Sequence, residues 1–108
     1  MITGWEEVGG RWYYFGESGA MQTGWVEDEG AWYYLAGDGT MQTGWIQYGG
    51  ARYRMGSDGA MQTGWVQDGG RWYWFTSGGS MATGWTEISG QWEMFDANGV
   101  WLYTWDGQ

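Results

Sequence analysis

The sequence predicts an all-β fold, a β-solenoid of stacked hairpins built on a 20-residue repeat. Three observations predict it. Thr-Gly-Trp recurs at 3–5, 23–25, 43–45, 63–65 and 83–85. An aromatic-rich string follows each copy at 11–15, 31–35, 51–55, 71–75 and 91–95. A glycine closes each unit at Gly19, Gly39, Gly59, Gly79 and Gly99. Self-similarity at a fixed short period marks a repeat architecture, in which each unit buries its apolar face on its neighbours. The 108 residues read as a single repeat domain, 1–108, with units 1–20, 21–40, 41–60, 61–80 and 81–100 and a stub at 101–108.

Each unit reads as strand, turn, strand, turn. The runs after Thr-Gly and within Arg-Trp-Tyr-Tyr-Phe are rich in β-branched and aromatic residues. Gly9-Gly10, Glu29-Gly30, Gly49-Gly50, Gly69-Gly70 and Ser89-Gly90 separate them. Such pairs supply the positive φ of two-residue hairpin turns. The second turns carry Ser18-Gly19, Asp38-Gly39, Asp58-Gly59, Gly78-Gly79 and Asn98-Gly99. The same chemistry serves them. No segment has a helical period.

Composition narrows the function. The chain holds 12 Trp, 8 Tyr and 23 Gly but no Pro, Cys or His, and its four basic residues are all arginine. Without Cys there is no disulfide frame, thiolate nucleophile or zinc ribbon. Without His there is no Ser-His-Asp triad or H-E-x-x-H helix. Without Lys there is no Schiff base. These absences point to a binding module rather than an enzyme, with no cofactor. Net charge is −9. That argues against nucleic acid, which needs a basic face, and against an anionic membrane surface. No apolar run approaches a membrane span, and no signal-peptide pattern is present. Met1 stands in the place of Met21 and the chain ends in a partial unit, the pattern of a module cut from a longer protein.

The acidic groups Glu6-Glu7 and Glu27-Asp28-Glu29 do not make a glycosidase pair, since strand neighbours point to opposite faces and Glu29 sits in a turn. The Gly-Gly-x-Gly-x-Asp repeat of calcium β-helices is missing, so no metal is expected.

Alternation assigns the faces. With Gly9-Gly10 at the tip, Val8 faces Arg11 and Trp5 lies across from Tyr14. Trp5, Trp12 and Tyr14 then share one face, with Tyr13 and Phe15 on the other. Tyr13, Tyr33, Tyr53 and Tyr73 are therefore expected in the core, with Phe15, Leu35, Met55, Phe75 and Phe95. Methionines read first as core gap-fillers.

Gly4-Trp5, Trp12-Tyr13-Tyr14-Phe15 and Gly19-Ala20-Met21-Gln22-Thr23-Gly24-Trp25 resemble the choline-binding repeat of Gram-positive surface proteins and phage lysins. The match recurs through the whole chain. Glucan-binding and clostridial-toxin repeats are related but usually lack the leading Trp found here at 12, 32, 72 and 92. The resemblance implies an extracellular, cell-wall-associated module that holds its parent protein on choline-bearing teichoic acids. It also implies ligand-promoted homodimerisation and a ligand seated between consecutive hairpins, caged by two Trp from one and an aromatic from the next. Physics agrees: a quaternary ammonium donates no hydrogen bond and is recognised by aromatic faces.

Carried over by position, the first cage would be Trp5, Trp12 and Tyr34, with Met21 as a wall. The second would be Trp25 and Trp32, with Arg54 as third wall. The third would be Trp45 and Trp74, with Arg52 replacing the leading Trp. The fourth would be Trp65, Trp72 and Met94, and the last Trp85 and Trp92 with Tyr103 or Trp105. A guanidinium repels a cationic ligand and can itself stack on the aromatic wall. The second and third cages are therefore expected not to hold choline. The two arginines either pack over aromatics or bind an anion such as a teichoic acid phosphate through forked hydrogen bonds. The alternative function is a carbohydrate-binding repeat domain that stacks sugars on Trp and Tyr, with Gln22, Gln42, Gln47, Gln62 and Gln67 as hydrogen-bonding partners. A third reading is a consensus solenoid without ligand.

Overall fold

The computed structural model describes residues 2–107 and is all-β. Met1, which the repeat pattern aligns with Met21, lies outside the described residues, as does Gln108. Among the described residues there are eleven strands: β1 Gly4–Val8, β2 Arg11–Phe15, β3 Gly24–Asp28, β4 Ala31–Leu35, β5 Gly44–Tyr48, β6 Ala51–Met55, β7 Gly64–Asp68, β8 Arg71–Phe75, β9 Gly84–Ile88, β10 Gln91–Phe95 and β11 Trp101–Thr104. Four consecutive pairs make two-stranded sheets, and β11, β10 and β9 make a three-stranded one. Val8 opposes Arg11 and Trp5 opposes Tyr14, as alternation predicts. The same register repeats in β3–β4, β7–β8 and β9–β10.

The tips adopt the positive φ that a two-residue turn of a right-twisted hairpin requires. Gly9 and Gly10 have φ 62° and 82°. Glu29 and Ser89, with side chains, are held at 50° and 51° in the same place. The turn is thus imposed by the strands on each side, even where the residue resists it.

After each second strand the chain closes a small loop. Ala36 N donates to Thr40 O and Gly39 N to Ala36 O, at 2.9 and 2.8 Å, and the bonds recur around Gly59, Gly79 and Gly99. The next residue then bridges back to the strand end: Leu35 with Met41, Met55 with Met61, Phe75 with Met81.

Two compact units are distinguished, Met1–Ile46 with Arg54–Met61, and Gln47–Tyr53 with Gln62–Gln108. In the first, Met41 N donates to Trp12 O at 2.9 Å and Met61 N to Trp32 O at 2.8 Å. In the second, Met81 N donates to Arg52 O at 2.8 Å. One backbone bond therefore links residues 29 apart, whatever side chain the acceptor carries.

Leu35 and Met55 are fully buried in the first unit, Phe75 and Phe95 in the second. Ala82, Ile88 and Phe95 form a cluster flanked by Trp74 and Trp101. Phe15, expected in the same role, is half-buried. Most tryptophans stay near the surface, with Trp12, Trp32, Trp72 and Trp92 all about two-fifths exposed. Aromatic surface of that extent is more than the core uses.

Candidate aromatic cages

The first cage lies in the first unit. Trp5 Nε1 donates to Asp28 Oδ2 at 3.0 Å, which fixes the indole of β1 against the tip of the β3–β4 hairpin. Trp5 meets Tyr14 edge-on at 4.9 Å between ring centroids, as expected across a hairpin. It also meets Tyr33 at 4.8 Å and 67°. A cavity of about 400 Å³ opens beside these rings, lined by Trp5, Trp12, Tyr33, Met41, Ser57 and Asp58. Burial pushes the Tyr33 phenol above its ordinary pKa, and the carboxylates of Asp58, Asp28 and Glu29 add to the shift. The ring thus stays neutral well into the alkaline range.

The third wall is therefore Tyr33, not Tyr34. Tyr34 turns onto Trp25 of its own hairpin, 5.0 Å away and directly opposite in register. Positions 54, 74 and 94 behave as Tyr34 does. Arg54 stacks over Trp45 of the paired strand β5 at 5.9 Å, and its Nη1 donates to Met55 O at 2.7 Å. Trp74 packs on Trp65 at 5.4 Å, and Met94 opposes Trp85. Positions 34, 54, 74 and 94 complete the face of their own hairpin. At the first and fourth cages the residue that lines the cavity is one earlier in the chain, Tyr33 and Glu93, on the opposite face of the strand. Tyr33, expected in the core, is a cage wall for this reason. Methionine shifts too: Met21 packs against Gly39, where an added Cβ would stand 2.5 Å from its Sδ, and Met41 lines the first cavity.

The fourth cage lies in the second unit. A cavity of about 350 Å³ is lined by Trp65, Trp72, Glu93, Trp101 and Thr104. Trp65 meets Trp72 at 6.2 Å and 85°, and Trp101 at 6.4 Å and 89°. Glu93 stands where Tyr33 stands in the first cage, and Trp101 where Met41 does, each 60 residues on. Glu93 is buried, and its Oε1 accepts from Trp101 Nε1 at 2.9 Å and Thr104 Oγ1 at 2.6 Å.

The last cage, also about 350 Å³, is lined by Trp85, Trp92 and Trp105. Trp105 N donates to Trp92 O at 2.8 Å, which brings the stub onto β10. Tyr103 packs on Trp85 at 6.0 Å.

Sequence reading missed Tyr33, Met41, Glu93, Trp101 and Thr104 as walls. One signal pointed to the right face. Positions 13, 33, 53, 73 and 93 read Tyr, Tyr, Tyr, Tyr, Glu, whereas 14, 34, 54, 74 and 94 read Tyr, Tyr, Arg, Trp, Met.

The family model for the choline-binding repeat matches residues 2–42 and 62–104, and a model for a putative cell wall binding repeat matches 43–61. No curated protein sequence matches the chain. Choline-binding protein F of Streptococcus pneumoniae is 46% identical over 99% of this chain and 37% of its own, with a TM-score of 0.92. CbpJ of S. pneumoniae TIGR4 is 45% identical over 99% of this chain and 38% of its own, with a TM-score of 0.93. The cell wall endolysin of phage Cp-1, solved in complex with choline, is 37% identical over 97% of this chain and 31% of its own, with a TM-score of 0.63. The chain spans about a third of the length of these relatives. It belongs to the choline-binding repeat family.

Proposed function

We propose that the chain is a non-catalytic anchoring module that binds choline of teichoic acids and holds its parent protein at the cell surface. The reading rests on one observation above all: Trp5, Trp12 and Tyr33 border one cavity, with Met41 beside them. Three electron-rich faces suit a cation that has no hydrogen to donate, at up to about 2 kcal/mol for each desolvated contact. Trp85, Trp92 and Trp105 form a second all-aromatic cage of the same kind. A net charge of −9 attracts the ligand at long range, weakly beyond about 8 Å at physiological salt. The site beginning at Trp45 takes no choline, since Arg54 covers that ring at 5.9 Å and brings a like charge. Ligand binding also promotes dimerisation.

Choline titration followed by tryptophan fluorescence tests this, with gluco-oligosaccharides as the competing ligand. Saturable quenching by choline alone is expected, reduced by Trp5→Ala and Trp12→Ala. A response to the oligosaccharides and none to choline at tens of millimolar would make the module a carbohydrate binder instead. Sedimentation with and without choline reads the dimer.

A further inference from the structure

We propose that the fourth cage, unlike the first, selects ammonium ions that still carry an N–H, such as a dimethylaminoethyl head group, over quaternary choline. This rests on the cage reading above and divides the cages by ligand. The first cage has a phenol as its third wall; the fourth has the carboxylate of Glu93, only 6% exposed, between Trp65, Trp72 and Trp101.

The bonding of that carboxylate is one-sided. Both protein donors, the Trp101 indole and the Thr104 hydroxyl, bond to Oε1. Among the described residues, Oε2 has no hydrogen bond and no arginine pairs with the group. A carboxylate has about four lone-pair sites, and a buried one without a cation is costly. A cation inside the cavity supplies the missing charge. One with an N–H also supplies a charge-assisted hydrogen bond, roughly twice as strong as a neutral one. A quaternary ammonium gives the charge and the cation–π contact but has no proton for Oε2.

The first cage also has carboxylates nearby, but they are differently placed. Asp28 is committed to the Trp5 indole. Asp58 lies exposed in a turn, where its Oδ1 accepts from Ala60 N at 2.9 Å. Solvent screens it more than it screens Glu93, which is buried.

Two indole N–H groups report the two cages separately: Trp5 in the first and Trp101 in the fourth. In ¹⁵N-labelled full chain, their resonances, assigned with Trp5→Phe and Trp101→Phe, are followed during titration with choline and with protonated N,N-dimethylethanolamine. At Trp101 the dimethyl ligand is expected to bind about tenfold tighter than choline, the worth of one charge-assisted hydrogen bond. At Trp5 choline binds as tightly or tighter. Glu93→Gln keeps an oxygen for Trp101 and Thr104 and should erase the preference at Trp101 while leaving Trp5 unchanged. The same ligand order at both indoles in the wild-type chain overturns the proposal, whether or not the variant folds, while choline binding at Trp5 leaves the cage reading intact. If neither ligand shifts either resonance, the cage reading falls first.

Discussion

The first and third hairpins share a backbone and differ in what they offer a ligand. Trp12 and Arg52 occupy the same repeat position, and both lend their carbonyl to a backbone N–H 29 residues on, at 2.9 and 2.8 Å. Tyr14 and Arg54 also correspond. The tyrosine meets Trp5 at 4.9 Å and the guanidinium covers Trp45 at 5.9 Å, so each closes the face of its own hairpin. The hairpin therefore asks little of these side chains beyond a flat, polarisable group, which Arg supplies as well as Tyr. A cation cage asks for much more, because an arginine carries the charge the ligand brings. Fold and site are under separate constraints at positions 12 and 52, and only the site distinguishes Trp from Arg.

The strongest way to break that separation is to copy the third hairpin into the first. Trp12→Arg should abolish choline binding at the first cage, a loss of about 2 kcal/mol or roughly 30-fold in affinity before repulsion is added. Its melting temperature should barely move, because Trp12 is 41% exposed and its backbone bond survives. Calorimetric titration and thermal melting check both halves. A large fall in melting temperature would mean that Trp12 carries the fold as well.

A second variant reaches the same cage through the backbone. Gly59 has φ 85°, and a Cβ there would collide with Met41 Sδ. Gly59→Ala should cost about 1–2 kcal/mol for the left-handed conformation and weaken first-cage binding as Met41 gives way. Gly30→Ala has the same φ, 85°, with nothing within 4 Å of the new methyl. It should show the backbone cost alone, with choline affinity intact. Denaturant unfolding and fluorescence titration of the pair separate the two effects.

Strand positions, register and the buried series Leu35, Met55, Phe75 and Phe95 were legible in the sequence, because each follows from period-2 alternation around a fixed turn. The pairs Trp5–Trp12, Trp65–Trp72 and Trp85–Trp92, which line the first, fourth and last cavities, were legible for the same reason, whereas Trp74, paired with Trp45 by position, packs on Trp65. The third wall was not. Alternation says that Tyr33 and Tyr34 face opposite ways, but not which way the next hairpin is turned. That rotation is set by contacts such as Met41 N to Trp12 O and Trp5 Nε1 to Asp28, made between residues 29 and 23 apart. Glu93 escaped notice because one acid in an aromatic series looks like a surface substitution until its burial is seen.

Arg54 gives a smaller effect that sharpens the contrast from the structural side. Arg54→Ala removes the stack on Trp45 and the bond to Met55 O, and should lower stability by about 1 kcal/mol. Arg54→Tyr, which restores the residue found at 14 and 34, should recover most of it. Denaturation midpoints of the two variants test whether a flat ring substitutes for the guanidinium. Failure of the tyrosine would show that the bond to the Met55 carbonyl, rather than the stack, holds the third hairpin.

The smallest expected effect compares two turns. In the second repeat Asp38 Oδ1 accepts from Thr40 Oγ1 at 2.7 Å and Thr40 N at 3.0 Å. These bonds hold its carboxyl below the ordinary aspartate range, with a lesser pull from Arg11. In the fourth repeat Gly78 stands at that position, and the loop is tied instead by the Thr76 and Ser80 hydroxyls, 2.9 Å apart. A depressed folded pKa stabilises the fold above the unfolded value of about 4, and the contribution is lost as pH falls through the lower folded value. The fourth turn has no acid to titrate there. Asp38→Asn should therefore flatten part of the acid limb of a stability–pH curve and leave the neutral side nearly level, because Asp38 is exposed and solvent screens it. Urea midpoints between about pH 2 and 6 measure it. An unchanged acid limb would mean that the Thr40 bonds persist when Asp38 is protonated, with its remaining lone pairs sufficient to hold the turn.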